Sequence, residues 1–170
     1  EQKDLEGQGM VWQAGGITRA QALEVPRVAG ASVYGGTPAD ASVIESIRAL
    51  RAAGQEVMFY PFILMDQLAD NGLPDPWSDA DDQAVLPWRG RITLDKAPGR
   101  AGSTDRSAAA TADVTAFFGT AAPSDFTVTG EAISYTGPDE WRFRRFILHY
   151  AHLCAAAGGV DAFCIGSEMV

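Results

Sequence analysis

Two acidic residues close the two most strand-like apolar stretches of this 170-residue chain, and they are the residues best suited to chemistry. Asp66 ends Pro61-Phe62-Ile63-Leu64-Met65-Asp66, and Glu168 ends Ile165-Gly166-Ser167-Glu168. A carboxylate is costly to bury without a partner, a proton or a task. In parallel α/β folds, ligands and catalytic groups gather at the carboxyl ends of strands. Neighbouring strands lie about 4.8 Å apart. Two such strands in one parallel sheet would therefore bring the carboxylates into the range of about 5 to 9.5 Å that glycosidases use. One group would be protonated as general acid, the other ionised as nucleophile or base. The plain alternatives are that Asp66 caps the loop after it and Glu168 pairs with an arginine. The small Gly166-Ser167 lead-in leaves room for a ligand and favours Glu168.

Other residues offer weaker chemistry. Trp12, Trp77 and Trp88 fall in loop-like sequence, where flat aromatic faces suit stacking on sugar rings, although Trp77 and Trp88 could instead staple their loop to the body. Arg89 and Arg91 beside Trp88 could clamp a carboxylate or phosphate, or simply balance acids of the same loop. Asp75, Asp79, Asp81 and Asp82 hint at calcium. The EF-hand pattern fails, because counting from Asp79 puts Ala84 at the sixth place and Gly90 at the twelfth. The run reads as solvated. His149 and His152 share a helix at metal-ligand spacing, but no Cys or carboxylate cluster completes a site, so they read as structural. Arg142, Arg144 and Arg145 read as a solvated helix face. Gly35-Gly36-Thr37-Pro38 could cap an anion at a helix start, yet it lacks a phosphate-loop fingerprint. Neither a metal nor a cofactor is expected.

Two segments with one plan must position the carboxylates. Thr37-Pro38 and Asp40 open a helix whose apolar face is Val43, Ile44, Ile47 and Leu50, and Gly54 stops it. Val57 to Leu64 then forms a near-continuous apolar run, the pattern of a strand covered on both faces. The second copy starts at Pro138-Asp139-Glu140 and continues through Phe143, Phe146, Ile147, Tyr150, Ala151 and Cys154. Gly158-Gly159 stop the helix, and Val160 to Ile165 form the next strand. Helix, glycine stop, buried strand and acidic residue, twice over, predict an α/β fold with parallel strands. Between them lie a long loop from 66 to about 102, a helix from Ser103 to Phe118 closed by Gly119, and a hairpin about Gly130-Glu131. Met10 to Tyr34 reads as extended loops or a small hairpin.

Composition sets the outer limits. Apolar residues make up 46% of the chain and charged residues 21%, the profile of an ordinary globular protein. A net charge of −9 argues against nucleic acid or an anionic membrane surface as partner. No apolar run reaches the roughly 20 residues of a membrane span. Cys154 and Cys164 sit in apolar surroundings and read as buried thiols.

Longer stretches carry a resemblance. Tyr34-Gly35-Gly36-Thr37-Pro38-Ala39-Asp40-Ala41-Ser42-Val43-Ile44, the Pro61 to Asp66 motif, and Pro87-Trp88-Arg89-Gly90-Arg91-Ile92-Thr93 all contribute. So do Gly119 to Phe126, Leu148 to Leu153, and Gly158 through Ile165-Gly166-Ser167-Glu168. Together they resemble the TIM-barrel-like, glycoside-hydrolase-like domain of the large baseplate or host-specificity proteins of gene transfer agents, which are phage-derived. The resemblance implies that residues 1–170 are an internal part of one (β/α)8 domain, incomplete at both ends, with a long βα loop and a short hairpin excursion. It implies cell-envelope glycan and other tail or baseplate proteins as partners, in the tail of a phage-like particle. Glu168 and Asp66 would be the catalytic carboxylates, with Trp77, Trp88 and Arg89 against the substrate. A non-catalytic structural or glycan-binding module of the tail tip is the alternative.

Overall fold

The computed structural model describes residues 2–4, 9–11, 27–28, 31–32, 40–61, 70, 72–83, 93–140 and 142–166. The chain divides into two compact units, Glu1–Pro61 with Phe117–Ser167, and Phe62–Ala116 with Glu168–Val170.

The first unit holds most of the regular structure. Strands β1 (Gln2–Asp4) and β2 (Gly9–Val11) pair antiparallel, as do β3 (Arg27–Val28) and β4 (Ala31–Ser32). The β3–β4 pair falls within Met10 to Tyr34, where extended loops or a small hairpin were expected; the β1–β2 pair lies largely before that stretch. Helix α1 (Asp40–Ala52) follows, buries Ile44 and Ile47, and ends at Gly54. Gly54 has a φ of +75°, which only glycine adopts without strain. Leu50, expected on the buried face, is exposed.

The second helix–strand segment repeats this plan. Helix α3 (Phe143–Ala156) buries Phe146, His149, Tyr150, Leu153 and Cys154, and Gly158 and Gly159 end it at φ +99° and +96°. It begins at Phe143 rather than at Pro138, because Arg142 before it is extended at φ −118° and ψ 167°. The two strands after the helices, β5 (Met58–Phe59) and β8 (Ala162–Phe163), pair parallel, with Met58 opposite Ala162 and Phe59 opposite Phe163. Cys164 N–H donates to Phe59 O at 2.9 Å and carries the ladder one step further.

Rings hold this pair to α3. Phe59 lies 5.6 Å from Tyr150 and 6.0 Å from Phe163, and the chain of rings continues through Phe146 and Phe143 to Phe117 and Phe118. The other sheet face is open: Met58 is 71% exposed and Ala162 is exposed too. The expectation of a strand covered on both faces is therefore corrected for the described part of the Val57 to Leu64 run. Apolar sequence says that a strand can be covered, while a packed neighbour decides whether it is.

Asp161 sets the start of the pair. Its Oδ2 accepts Val57 N–H at 2.8 Å and faces Arg51 at 3.4 Å, while its own N–H donates to Val57 O at 2.9 Å. Asp161→Ala is expected to cost about 1 kcal/mol, the net worth of one such hydrogen bond at a partly exposed site. Equilibrium urea unfolding of the variant beside wild type measures it.

Helix α2 (Ala108–Phe118) starts five residues later than expected. Arg106 has a φ of +57°, which breaks the helix before it, and Ser107 Oγ accepts Ala110 N–H as the working cap. Ser103 Oγ instead accepts Asp105 N–H in the turn ahead. Gly119 closes α2 at φ +75°, as expected. After the 3₁₀ turn Pro123–Asp125, strands β6 (Phe126–Thr129) and β7 (Ala132–Tyr135) form the expected hairpin, with Gly130 giving the turn its positive φ of 61°. The hairpin packs on α3: Phe126 stacks on His152 at 4.9 Å, and the Arg145 guanidinium lies 4.0 Å above the Tyr135 ring. Arg142 and Arg145 are half-buried, which corrects their reading as a solvated face; only Arg144 stays exposed.

In the second unit, the described residues before α2 form turns and bends, in keeping with the long loop. All strands described are in two-stranded pairs, and no closed barrel is present among the described residues.

Candidate functional site

The carboxyl ends of β5 and β8 form the candidate site. In a parallel pair both ends open on the same side, where α/β proteins place ligands. The chain leaves β5 through Tyr60 and Pro61 toward Asp66, and leaves β8 through Cys164, Ile165 and Gly166 toward Glu168. The two segments predicted to carry catalytic carboxylates therefore follow strands that are direct neighbours. Asp66 and Glu168 themselves lie outside the described residues, as do Trp12, Trp88, Arg89, Arg91 and Gly35-Gly36-Thr37-Pro38.

Tyr60, Pro61, Cys164 and Ile165 carry described side chains at this rim. Side chains alternate along a strand. Phe59 packs against Tyr150 of α3 and against Phe163, and Tyr60 and Cys164 are the next residues of the chain after the two strands. Both Tyr60 and Cys164 are half-buried, and the Cys164 thiol reaches Gly166 O at 3.5 Å. Sequence reading treated Cys164 as a buried thiol and gave Tyr60 no role. The signal was the shared position one residue beyond each apolar core, legible only once the register is known. The other thiol, Cys154, is buried in α3, and burial pushes its pKa up to about 11. Both cysteines are free.

In the second unit, Trp77 is 40% exposed on a loop held by its own acids. Asp75 accepts Trp77 N–H at 3.0 Å and the Ser78 hydroxyl at 2.6 Å. The Ser78 hydroxyl bond, then the Trp77 N–H, holds the Asp75 carboxyl below its usual range. Asp82 accepts Gly72 N–H at 2.6 Å, and Asp79 pairs with Arg100 at 2.5 Å. Asp75, Asp79 and Asp82 help shape the loop, while Asp79, Asp81 and Asp82 stay exposed, in keeping with the reading of a solvated run. No metal-binding cluster occurs among the described residues.

The remaining polar groups organise the scaffold. His149 Nε2 lies 3.2 Å from Asp40, tying α3 to the start of α1, and His152 Nδ1 lies 2.7 Å from Leu148 O. Both histidines make hydrogen bonds within the scaffold. Arg48 pairs with exposed Glu131 and donates to Ala156 O at 2.9 Å.

Glu140 is the buried carboxylate that sequence reading missed. It accepts Thr120 N–H at 2.6 Å, Ala121 N–H at 2.8 Å and the Thr120 hydroxyl at 3.1 Å. Arg142 lies 4.0 Å away. Burial alone would raise its pKa, but these donors outweigh it and hold the carboxyl below the usual glutamate value. Gly119 makes the approach feasible: a Cβ there would sit 2.5 Å from Glu140 Oε1 and 2.7 Å from Arg142 Cβ, at a φ of +75°. Gly119→Ala is expected to cost at least about 2 kcal/mol from the left-handed backbone and the close approach combined, read as a lower urea midpoint with an unchanged slope.

A parallel strand pair packed on α3, each strand following a helix, is an α/β arrangement. The model of the gene transfer agent TIM-barrel-like domain family matches residues 141–170. That stretch holds α3, β8 and Glu168, and its similarity to the family agrees with the resemblance read from the sequence. No curated protein and no solved structure matches the chain. Among the described residues, no helix is long and apolar enough to cross a membrane.

Proposed function

We propose that residues 1–170 are part of one glycoside-hydrolase-like barrel in the tail or baseplate of a phage-like particle, acting on cell-envelope glycan during host recognition or penetration. One observation carries the reading: β5 and β8 are direct parallel neighbours, and the chain beyond their carboxyl ends leads to Asp66 and Glu168. The family match over 141–170 supplies the gene transfer agent context. Fold likeness alone would not assign an activity, so the argument rests on the carboxylates.

In this reading Glu168 gives its proton to the leaving glycosidic oxygen. Asp66 is the ionised partner that activates water or stabilises positive charge on the sugar. Trp77 and Trp88 stack on sugar rings, and Arg89 binds a polar substituent. The test is digestion of purified envelope glycan by the full-length protein, with products followed by mass spectrometry. Fragments differing by whole sugar units, each with a new reducing end, are expected. Retained glycan binding with no fragments would replace the hydrolase with a glycan-binding tail module.

A further inference from the structure

The β5–β8 pair is short, and a short pair specifies its register weakly. Each strand is two residues long. A slip of one residue would swap the face that each ring presents, and the contacts of Phe59 with Tyr150 and Phe163 oppose it. A slip of two residues keeps the faces, so packing alone resists it less. One side chain stands where that ambiguity arises. Val57 and Asp161 immediately precede the two strands, and Asp161 meets both backbone groups of Val57. Its Oδ2 accepts Val57 N–H at 2.8 Å, and its own N–H donates to Val57 O at 2.9 Å, an oxygen that Ala162 N–H shares at 3.2 Å. Backbone alone does not make such an exchange in a parallel pair, where the slanted bonds of one residue run to two different residues opposite. The carboxylate supplies the missing half.

The acceptor fits one register. Asp161 is the single acidic residue between Ala157 and Gly166, so a two-residue slip would bring Gly159 or Phe163 beside Val57. Neither has a side-chain acceptor. Val57 is 7% exposed, so its N–H would lose a partner without gaining water. The ion pair of Asp161 with Arg51 at 3.4 Å adds little, because the side chains are 47% and 41% exposed. At the other end of the pair, Cys164 N–H donates to Phe59 O at 2.9 Å, and the chain runs on to Asp66 and Glu168.

We infer that Asp161 is a register lock and, through the strands it aligns, a positioning residue for the segments that carry Asp66 and Glu168. The positioning role rests on the glycosidase reading; the lock does not. A strand advances about 3.3 Å per residue, so a two-residue slip would carry one segment about 6.6 Å past the other. That exceeds the whole spread of carboxyl separations that glycosidases use.

Hydrogen exchange at single amides tests the lock in the full-length protein, with Asp161→Ala, Asp161→Asn and Arg51→Ala beside wild type. Asp161→Ala is expected to speed exchange at Val57 and also at Cys164, the far end of the pair. The expected change is roughly fivefold, equivalent to about 1 kcal/mol for one hydrogen bond. Asp161→Asn keeps an oxygen acceptor for Val57 N–H and should exchange like wild type at both amides, as should Arg51→Ala. On envelope glycan, Asp161→Ala should lower kcat with KM little changed, and Asp161→Asn should restore it. Faster exchange confined to Val57 would make Asp161 a local cap and overturn the lock, leaving the glycosidase reading standing. Asp161→Asn as impaired as Asp161→Ala would overturn it too, since charge rather than the acceptor would then hold the pair. Unchanged kcat in Asp161→Ala despite faster exchange at Cys164 overturns the positioning role. A wild type that cleaves no glycan removes the glycosidase reading and the positioning role with it, while exchange at Cys164 still decides the lock.

Discussion

Glu168→Gln is expected to lower glycan cleavage by about 10² to 10⁴-fold, the range that one positioned general acid supplies. Each tenfold loss corresponds to about 1.4 kcal/mol in the barrier, so this one substitution removes about 3 to 5 kcal/mol of transition-state stabilisation. The amide keeps the size and hydrogen-bonding shape of the acid but has no proton to give at the pH of the assay. Glycan affinity should therefore change little, and the loss should fall in kcat rather than KM. Leaving-group chemistry separates this from a general disruption of the site. A 4-nitrophenyl glycoside leaves as a stabilised phenolate and needs little protonation, so the variant should recover most of its rate on that substrate. Equal losses on natural and activated substrates would instead make Glu168 a binding or structural residue.

The largest effect on stability is expected at Glu140. Glu140→Ala leaves Thr120 N–H and Ala121 N–H without their buried acceptor and removes the anion beside Arg142. Breaking such a buried charged network costs about 3 to 5 kcal/mol. Glu140→Gln keeps one carbonyl acceptor and should lose less. The same site predicts a pH dependence. The folded-state pKa is lowered from the ordinary value of 4.5, so the unfolded chain binds a proton more readily than the folded one. The contribution of Glu140 is then complete above about pH 4.5 and is lost as pH falls through the folded-state value. Urea midpoints from pH 7 downward should show wild type losing more stability than Glu140→Gln. Parallel pH curves for the two proteins would contradict the role given to the Thr120 and Ala121 donors.

The elements that sequence reading captured are those signalled by local chemistry. Gly54, Gly119, Gly158 and Gly159 each stop a helix at a positive φ, and Gly130 turns the hairpin, because no other residue adopts that backbone cheaply. The parallel pairing of β5 with β8 followed from two helix–strand repeats in sequence. The start of α2 was misplaced because Ser103, Thr104 and Ser107 are equally good caps on paper. The positive φ of Arg106, an uncommon conformation for that residue, chooses Ser107. Glu140 gave no signal at all. Its partners are backbone N–H groups about twenty residues away, and every residue type carries those. Arg145 was read as solvated because the Tyr135 ring beneath it comes from a hairpin, not from the neighbouring helical turn. At the candidate site the sequence indicated which strands matter and which residues end them. That Phe59 stands opposite Phe163 needed the register of β5 on β8.

The most direct test of the central claim is a crystal structure of full-length Glu168→Gln with an oligosaccharide of the cleaved glycan bound. The account predicts a glycosidic oxygen within hydrogen-bond reach of position 168. It also predicts the Asp66 carboxylate about 5 to 9.5 Å from that side chain, with the sugar chain lying over the carboxyl ends of β5 and β8. An oligosaccharide bound elsewhere, or Asp66 and position 168 on opposite sides of the sheet, would contradict it.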